Sequence, residues 1–330
     1  MEADVKVSGN RFVRLLGNIW RNYSVVVVFV VIIIICGIAA PRFLNPDNLL
    51  NILRNTSIVG VIAIGMTFVI IAGGIDLSSG PVLATSGAVL IILQRMVNPD
   101  GSSVVPLWIA ILVCCAIAVA FGFVNGIIIT KAKLPPFIVT LAVGIIARSV
   151  VMYFCRGATI MGNKVPQFTN IGNGSLFGII PIPFIIVIIV AIVLHIVLTR
   201  TKFGTYVFAV GGNENAARYS GIKVDKIKIA TYMLVGLCTG IAAVIEMSRM
   251  AAVAATTSGS QYEFEAITAV IVGGTSLSGG KGRLIGTIVG FIILGIVNNI
   301  MIMLNISPYL SGAVKGAVIL FAVLMQRRER

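Results

Sequence analysis

The sequence predicts an all-α polytopic membrane protein of about ten transmembrane helices, and three observations carry that reading. Of 330 residues, 58% are hydrophobic and only 11% charged, and the mean hydropathy is +1.06; an average soluble domain is about a quarter charged. Apolar runs recur along the chain at lengths near the roughly 20 residues a helix needs to cross a bilayer core. Between them, Lys and Arg gather in alternate connections, the pattern of loops retained in the cytoplasm.

Taken in order, the spans fall near 24–40, 56–73, 79–95, 105–130, 136–154, 181–199, 229–248, 263–277, 283–304 and 309–326, the eighth being short. Lys6, Arg11, Arg14 and Arg21 precede the first run, and Pro41-Arg42-Phe43 after it lacks the small residues of a cleavage site. The first run is therefore expected to be a retained span rather than a signal peptide. An even number of spans places residues 1–23 and 327–330 on the same, cytoplasmic side, with 1–330 forming a single transmembrane domain. This topology puts most of the 25 Lys and Arg residues inside, among them Lys131, Lys133, Arg200, Lys202, Lys226, Lys228 and Lys281. The net charge of +14 then follows from membrane orientation, and no nucleic-acid partner is expected.

Two connections differ in kind. Residues 155–180, rich in Gly, Asn and Thr, read as an irregular extracytoplasmic loop. In the cytoplasmic segment 200–228, Gly211-Gly212 reads as a breaker, Asn213 as a cap, and Glu214, Ala216, Ala217 and Arg218 as a short helix stopped by Gly221. Such a helix would lie across the membrane face.

The pattern Gly-Gly-x-x-Leu-Ser-x-Gly occurs twice, at Gly73–Gly80 and Gly273–Gly280. Glycine-rich breaks at membrane depth survive only where they are buried in protein or line a cavity, so Gly73, Gly74, Ser78, Gly273, Gly274 and Ser276 are candidates for a path or gate. Five of eight positions are identical at an offset of 200 residues, which fits either duplication or coincidence among common residues. Asp76 inside the first copy is an acid in an apolar setting. It reads as a cap for the helix that begins near Ser78, or as a binder of a proton, a cation or a hydroxyl. Arg148, Glu246 and Lys315 also lie within spans; Glu246 and Arg249, three apart, are expected to pair. Asn125, Thr140, Asn298 and Asn299 are neutral polar groups able to join helices or line a path for an uncharged solute.

Several chemistries are excluded. Lys281 follows Gly279-Gly280, but Gly282 stands where a phosphate-binding loop needs Ser or Thr. The five cysteines lie mostly inside apolar runs, and with His195 as the single histidine no metal-ligand or nucleophile-base set is visible. The chain is not expected to be an enzyme or to hold a cofactor of its own.

GMTFVIIAGGIDLSSGPVLATSGA at 65–88, GGNENAARYSGIKVDKIK at 211–228 and YEFEAITAVIVGGTSLSGGKGRLIGT at 262–287 together resemble the ribose-type permeases of bacterial ABC sugar importers. The resemblance covers nearly the whole chain in order and spacing. It implies a type II importer-like fold in the inner membrane and a permease that pairs with a second permease subunit, as a homodimer, around a central path. It also implies sugar delivery by an extracytoplasmic binding protein, and an ATPase partner with two nucleotide-binding domains that holds the ATP and Mg. The short inner helix becomes the coupling helix, with Glu214, Ala216, Ala217, Arg218 and Gly221 docking into a groove of the ATPase. The alternative is an ion-coupled secondary transporter using Asp76 as its carboxylate.

Overall fold

The computed structural model describes residues 42–96, 104–163 and 165–307, with isolated positions at 30–40 and 310–320. Most of the spans expected at 24–40 and 309–326, the two termini and Lys315 lie outside the described residues.

The chain opens with α1 (Pro46–Ile71), started by Asn45, whose side chain accepts the Asp47 N–H, and by Pro46 at the first helical position. Every residue from Thr56 to Ile71 is buried, as expected of a helix apolar on all sides. A break follows, then α2 (Ser79–Arg95), α3 (Leu107–Lys131) and α4 (Pro136–Cys155). The expected irregular loop at 155–180 is instead built: β1 (Thr159–Met161), α5 (Pro166–Asn173), β2 (Ser175–Leu176) and β3 (Ile180–Pro181). Phe168 of α5 is fully buried, which anchors the segment to the bundle. Then come α6 (Ile182–Arg200), α7 (Lys202–Gly212), α8 (Glu214–Tyr219), α9 (Val224–Met250), β4 (Ala252–Ala254), α10 (Tyr262–Val272) and α11 (Leu284–Met303).

Six of these helices, α1, α3, α4, α6, α9 and α11, are long and apolar enough to cross a membrane; the protein is a polytopic membrane protein. The span expected at 263–277 is shorter: α10 has 11 residues, roughly 17 Å at 1.5 Å per residue, against a core of about 30 Å. The helix stops at Gly273 because Gly274 takes a left-handed φ of +85°.

The centre of the bundle is α9, packed against α3, α1 and α2. Its contact with α3 is a stripe of small residues. Ala110, Cys114, Ala118, Gly122 and Gly126 of α3 are buried opposite Gly236 and Gly240 of α9, where an added Cβ on Gly236 would lie 2.5 Å from the Ala118 carbonyl oxygen. Lipid gives helices no hydrophobic reason to associate, so close backbone approach supplies the attraction; the cysteines serve as small packing residues.

At the end of the bundle remote from α8, β1 pairs antiparallel with β4, Thr159 opposite Ala254 and Met161 opposite Ala252. Beyond β4 the loop 255–261 is held by Arg148 of α4, whose Nη1 donates to the carbonyls of Ala255 and Ser258, both at 2.9 Å. Glu246 does not pair with Arg249 as its spacing suggested: its Oε1 accepts the Gly259 N–H at 3.4 Å, and no ion pair joins the two side chains. The buried Gly259 N–H of the loop takes the carboxylate in place of the helix neighbour.

Candidate functional site

The short helix read from the sequence is α8. Asn213 ends α7 and starts α8, its Oδ1 accepting the Ala216 N–H at 2.9 Å. Gly221, at φ +81°, carries the chain out of the helix in a conformation that side chains resist. Ion pairs hold α8 against the start of α9: Glu214 with Arg218 and Lys228, Arg218 also with Asp225 at 3.1 Å, and Asp225 with Lys131 of α3 at 3.6 Å. Burial alone would push the Glu214 carboxyl up, but the hydrogen bonds and positive charges of Lys228 and Arg218 outweigh it and hold the group below its ordinary value of 4.5. These groups remain partly exposed, so the network orients α8 more than it stabilises the fold.

The five residues expected to dock do not share one environment. Ala217 is buried, in a small cluster with Val210 and Val224, so it packs α8 down rather than facing outward. Glu214 and Arg218 are engaged in the clamp. The outward face is instead Asn215, Ala216 and Tyr219, the last 91% exposed. Helical spacing alone does not tell which side of a six-residue helix meets the bundle, so the exposure of Tyr219 was not readable from the sequence.

Just before α8 lies a junction that sequence reasoning also missed. Gly211-Gly212 does not break the chain; α7 continues through both. Gly211 lies against the end of α1, where an added Cβ would fall 1.7 Å from the Ile71 carbonyl oxygen and 2.7 Å from the Gly280 nitrogen. That same Ile71 carbonyl accepts the Gly280 N–H at 2.9 Å, and an added Cβ on Gly279 would meet the Gly73 Cα at 3.1 Å. The two glycine motifs thus touch each other and the segment that leads into α8. No local pattern announces such a contact, because its partners are more than 60 residues apart in sequence.

The two motif copies end helices alike but out of register. The Gly73 and Gly74 N–H groups donate to the Ile70 and Val69 carbonyls; in the second copy Gly274 and Thr275 donate to Ile271 and Val270. Gly73, at φ +81°, therefore matches Gly274 rather than Gly273, one residue away from the sequence alignment. Each copy is a glycine helix terminus, which accounts for the likeness without requiring a structural repeat. Thereafter they diverge: Ser276 donates its N–H to the Lys281 carbonyl and Gly279 donates to Ser276, folding the second copy into turns.

The first copy is non-helical from Gly74 to Ser78, and side chains of two helices and of Asp76 take up its backbone groups. Tyr232 of α9 donates its hydroxyl to the Ile75 carbonyl at 3.2 Å, and Thr140 of α4 accepts the Leu77 N–H at 3.1 Å. Asp76 Oδ1 accepts from the Ser78 N–H at 2.8 Å and from its hydroxyl at 2.6 Å, while Oδ2 accepts the Ser79 hydroxyl at 3.2 Å. Asn125 of α3 donates to the Ser78 Oγ at 2.8 Å. Asp76, Ser78, Asn125 and Thr140 are all buried. The set replaces helix bonds that lipid cannot replace.

Asn298 and Asn299 are not part of this cluster. They stand on α11 roughly 21 Å along its axis from Leu284. There Asn299 and Asn48 of the α1 start exchange amide hydrogen bonds at 2.8 and 3.0 Å. Both Asn298 and Asn299 line a cavity of about 470 Å³, together with Asn55, Thr56, Glu265 and Phe291.

Comparison with known proteins agrees with this architecture. Residues 48–323 match the family described as branched-chain amino acid transport system / permease component. The chain is 43% identical over 300 residues to a ribose import permease protein of Bacillus subtilis, covering 91% of this chain and 90% of that one. It is 40% identical over 328 residues to a ribose import permease protein of Escherichia coli, with 98% of each chain covered. With the D-allose transport system permease protein of Escherichia coli it shares 34% identity over 309 residues, 93% of this chain and 92% of that one. No solved structure matches the chain. A membrane bundle with a clamped short helix at one end, matched by one family across most of its length, leaves a single assignment: the chain belongs to the branched-chain amino acid transport system / permease component family.

Proposed function

We propose that the chain is the membrane permease subunit of an ATP-driven importer for a monosaccharide, ribose being the substrate named for the relatives at 40–43% identity. It works with a separate ATPase subunit, an extracytoplasmic sugar-binding protein and a second permease subunit. The observation that carries the reading is the junction of Gly211, Ile71 and Gly280 directly behind α8. A displacement of α8 reaches both broken elements through it without passing through a flexible linker.

In this reading the α8 end is cytoplasmic, in keeping with Lys131, Arg200, Lys202, Lys228, Lys281 and Arg283 gathered there. Tyr219, Asn215 and Ala216 enter a groove of the ATPase, and the clamp of Glu214, Arg218, Lys228 and Asp225 keeps α8 aligned with α9. ATP binding to the partner moves α8, and α7 transmits the shift to the ends of α1 and α10, whose glycine motifs act as the inner gate. The ion-coupled alternative is disfavoured because both Asp76 oxygens are occupied by Ser78 and Ser79.

Proteoliposomes containing the permease, its ATPase and the loaded binding protein test the proposal. ATP-dependent ribose uptake is expected, abolished when the ATPase is omitted. Uptake by the permease alone on a proton or sodium gradient would overturn it.

A further inference from the structure

The cavity between α1, α10 and α11 has no part in the junction and is lined by an unusual set for membrane depth. Asn55 and Thr56 come from α1, Glu265 from α10, and Phe291, Asn298 and Asn299 from α11. Its volume of about 470 Å³ lies in the ~300–1,000 Å³ range of small-molecule sites. Asn298 is only partly exposed and its side chain makes no hydrogen bond to another described residue, and polar groups kept inside a membrane protein mark solute pathways.

We propose that this cavity binds one neutral monosaccharide during its passage, an inference that rests on the sugar-permease reading. Carboxamides offer donors and acceptors side by side, which a polyol presenting both in alternation requires. Phe291, buried against Gly60, forms the apolar floor of the cavity. Glu265 is the one ionisable group among the lining residues, and it accepts hydroxyl hydrogens while repelling phosphorylated sugars. The position suits a site on the far side of the gate. Toward α8 the helices close, with the Phe291 ring packed where an added Cβ on Gly60 would lie 3.1 Å from it, and with Thr67 hydrogen-bonded to Thr287 at 2.9 Å. A solute admitted from the remote end would rest above that closure until the glycine motifs move.

Two measurements on the full permease–ATPase complex test the site. In proteoliposomes supplied with ATP and ribose-loaded binding protein, Asn298→Leu is expected to lower D-ribose uptake by about tenfold, the usual effect of losing a polar partner, with the complex recovered at wild-type yield. Uptake equal to wild type would overturn the site while leaving the permease reading intact; failure of the wild-type complex to import ribose would instead overturn the permease reading. Independently, Asn55→Cys places a thiol at the exposed rim of the cavity. D-ribose at millimolar concentration is expected to slow its modification by a maleimide relative to the wild-type background, and ribose 5-phosphate is not. No protection by ribose, or equal protection by both compounds, would overturn the proposal.

Discussion

The Gly280 N–H donates to the Ile71 carbonyl at 2.9 Å, so the last residue of α1 and the last residue of the second glycine motif are directly bonded. Gly211 is packed onto that bond. Under the proposed function, a displacement of α8 would therefore reach both broken elements at one point.

Thr67 and Thr287 hold α1 to α11 through buried hydroxyls 2.9 Å apart. Thr67→Val leaves the Thr287 hydroxyl without its partner and is expected to destabilise the protein by about 1–2 kcal/mol, whereas after Thr287→Val the Thr67 hydroxyl keeps the Ala63 carbonyl at 2.8 Å and the loss is expected to be smaller. The double variant should lose less than the sum by about 1 kcal/mol, because both partners are then apolar. Thermal unfolding of the four proteins in detergent gives the coupling, and strict additivity would show that the bond contributes nothing.

Asp76→Asn keeps one oxygen for the Ser78 N–H and hydroxyl and gives up the acceptor that serves Ser79. A loss of about 1 kcal/mol in stability with uptake largely retained is expected, while Asp76→Leu, leaving all three donors unmet, should destabilise by about 3 kcal/mol or more. Complete, pH-independent loss of uptake in a stable Asp76→Asn protein would instead assign the carboxylate a direct part in transport.

Opposite outcomes are expected for two neighbours on α8. Tyr219→Ala removes a side chain that is 91% exposed, so the melting temperature should be unchanged while ATPase co-purification falls. Ala217→Glu buries an unpaired charge against Val210 and Val224 and should lower stability by about 3 kcal/mol. If Tyr219→Ala bound the ATPase normally, the outward face of α8 would not be the docking face.

The clamp on α8 has a defined pH window. The folded pKa of Glu214 lies below its ordinary value of 4.5, so its contribution is present above that value and lost as pH falls through the lower folded value. The difference in melting temperature between wild type and Glu214→Gln should be constant from neutral pH to about pH 5 and shrink below it. A difference that instead vanished between pH 6 and 8 would mean the carboxylate is not held in this network.

How much of this was legible in the sequence depends on the range of the signal. Long spans such as α3 and α6 announce themselves by composition, since lipid admits nothing else. The bounds of α8 were readable because Asn213 and Gly221 act on backbone groups within three or four residues. The face of α8 was not, as Ala217 is an ordinary helix former until Val210 and Val224 pack on it. Gly211 looked like a breaker because the Ile71 carbonyl that demands a missing side chain comes from a distant helix. The glycine repeat was visible for a local reason, helix termination, and its one-residue mismatch at Gly274 appears only in the hydrogen bonds. Glu246 and Arg249 had pairing geometry on their helix, but the loop at Gly259 offered the carboxylate a buried N–H.

If α8 drives the glycine motifs through Gly211, the number of ATP molecules hydrolysed per ribose imported in proteoliposomes reports that coupling. Gly211→Ala, which would place a Cβ 1.7 Å from the Ile71 oxygen, should force α7 off the junction at about 1–3 kcal/mol. Continued ATP hydrolysis with far less ribose delivered is expected, so that the ratio rises about tenfold or more, as loss of about 1.4 kcal/mol of coupling would give. An unchanged ratio in an assembled Gly211→Ala complex would contradict it.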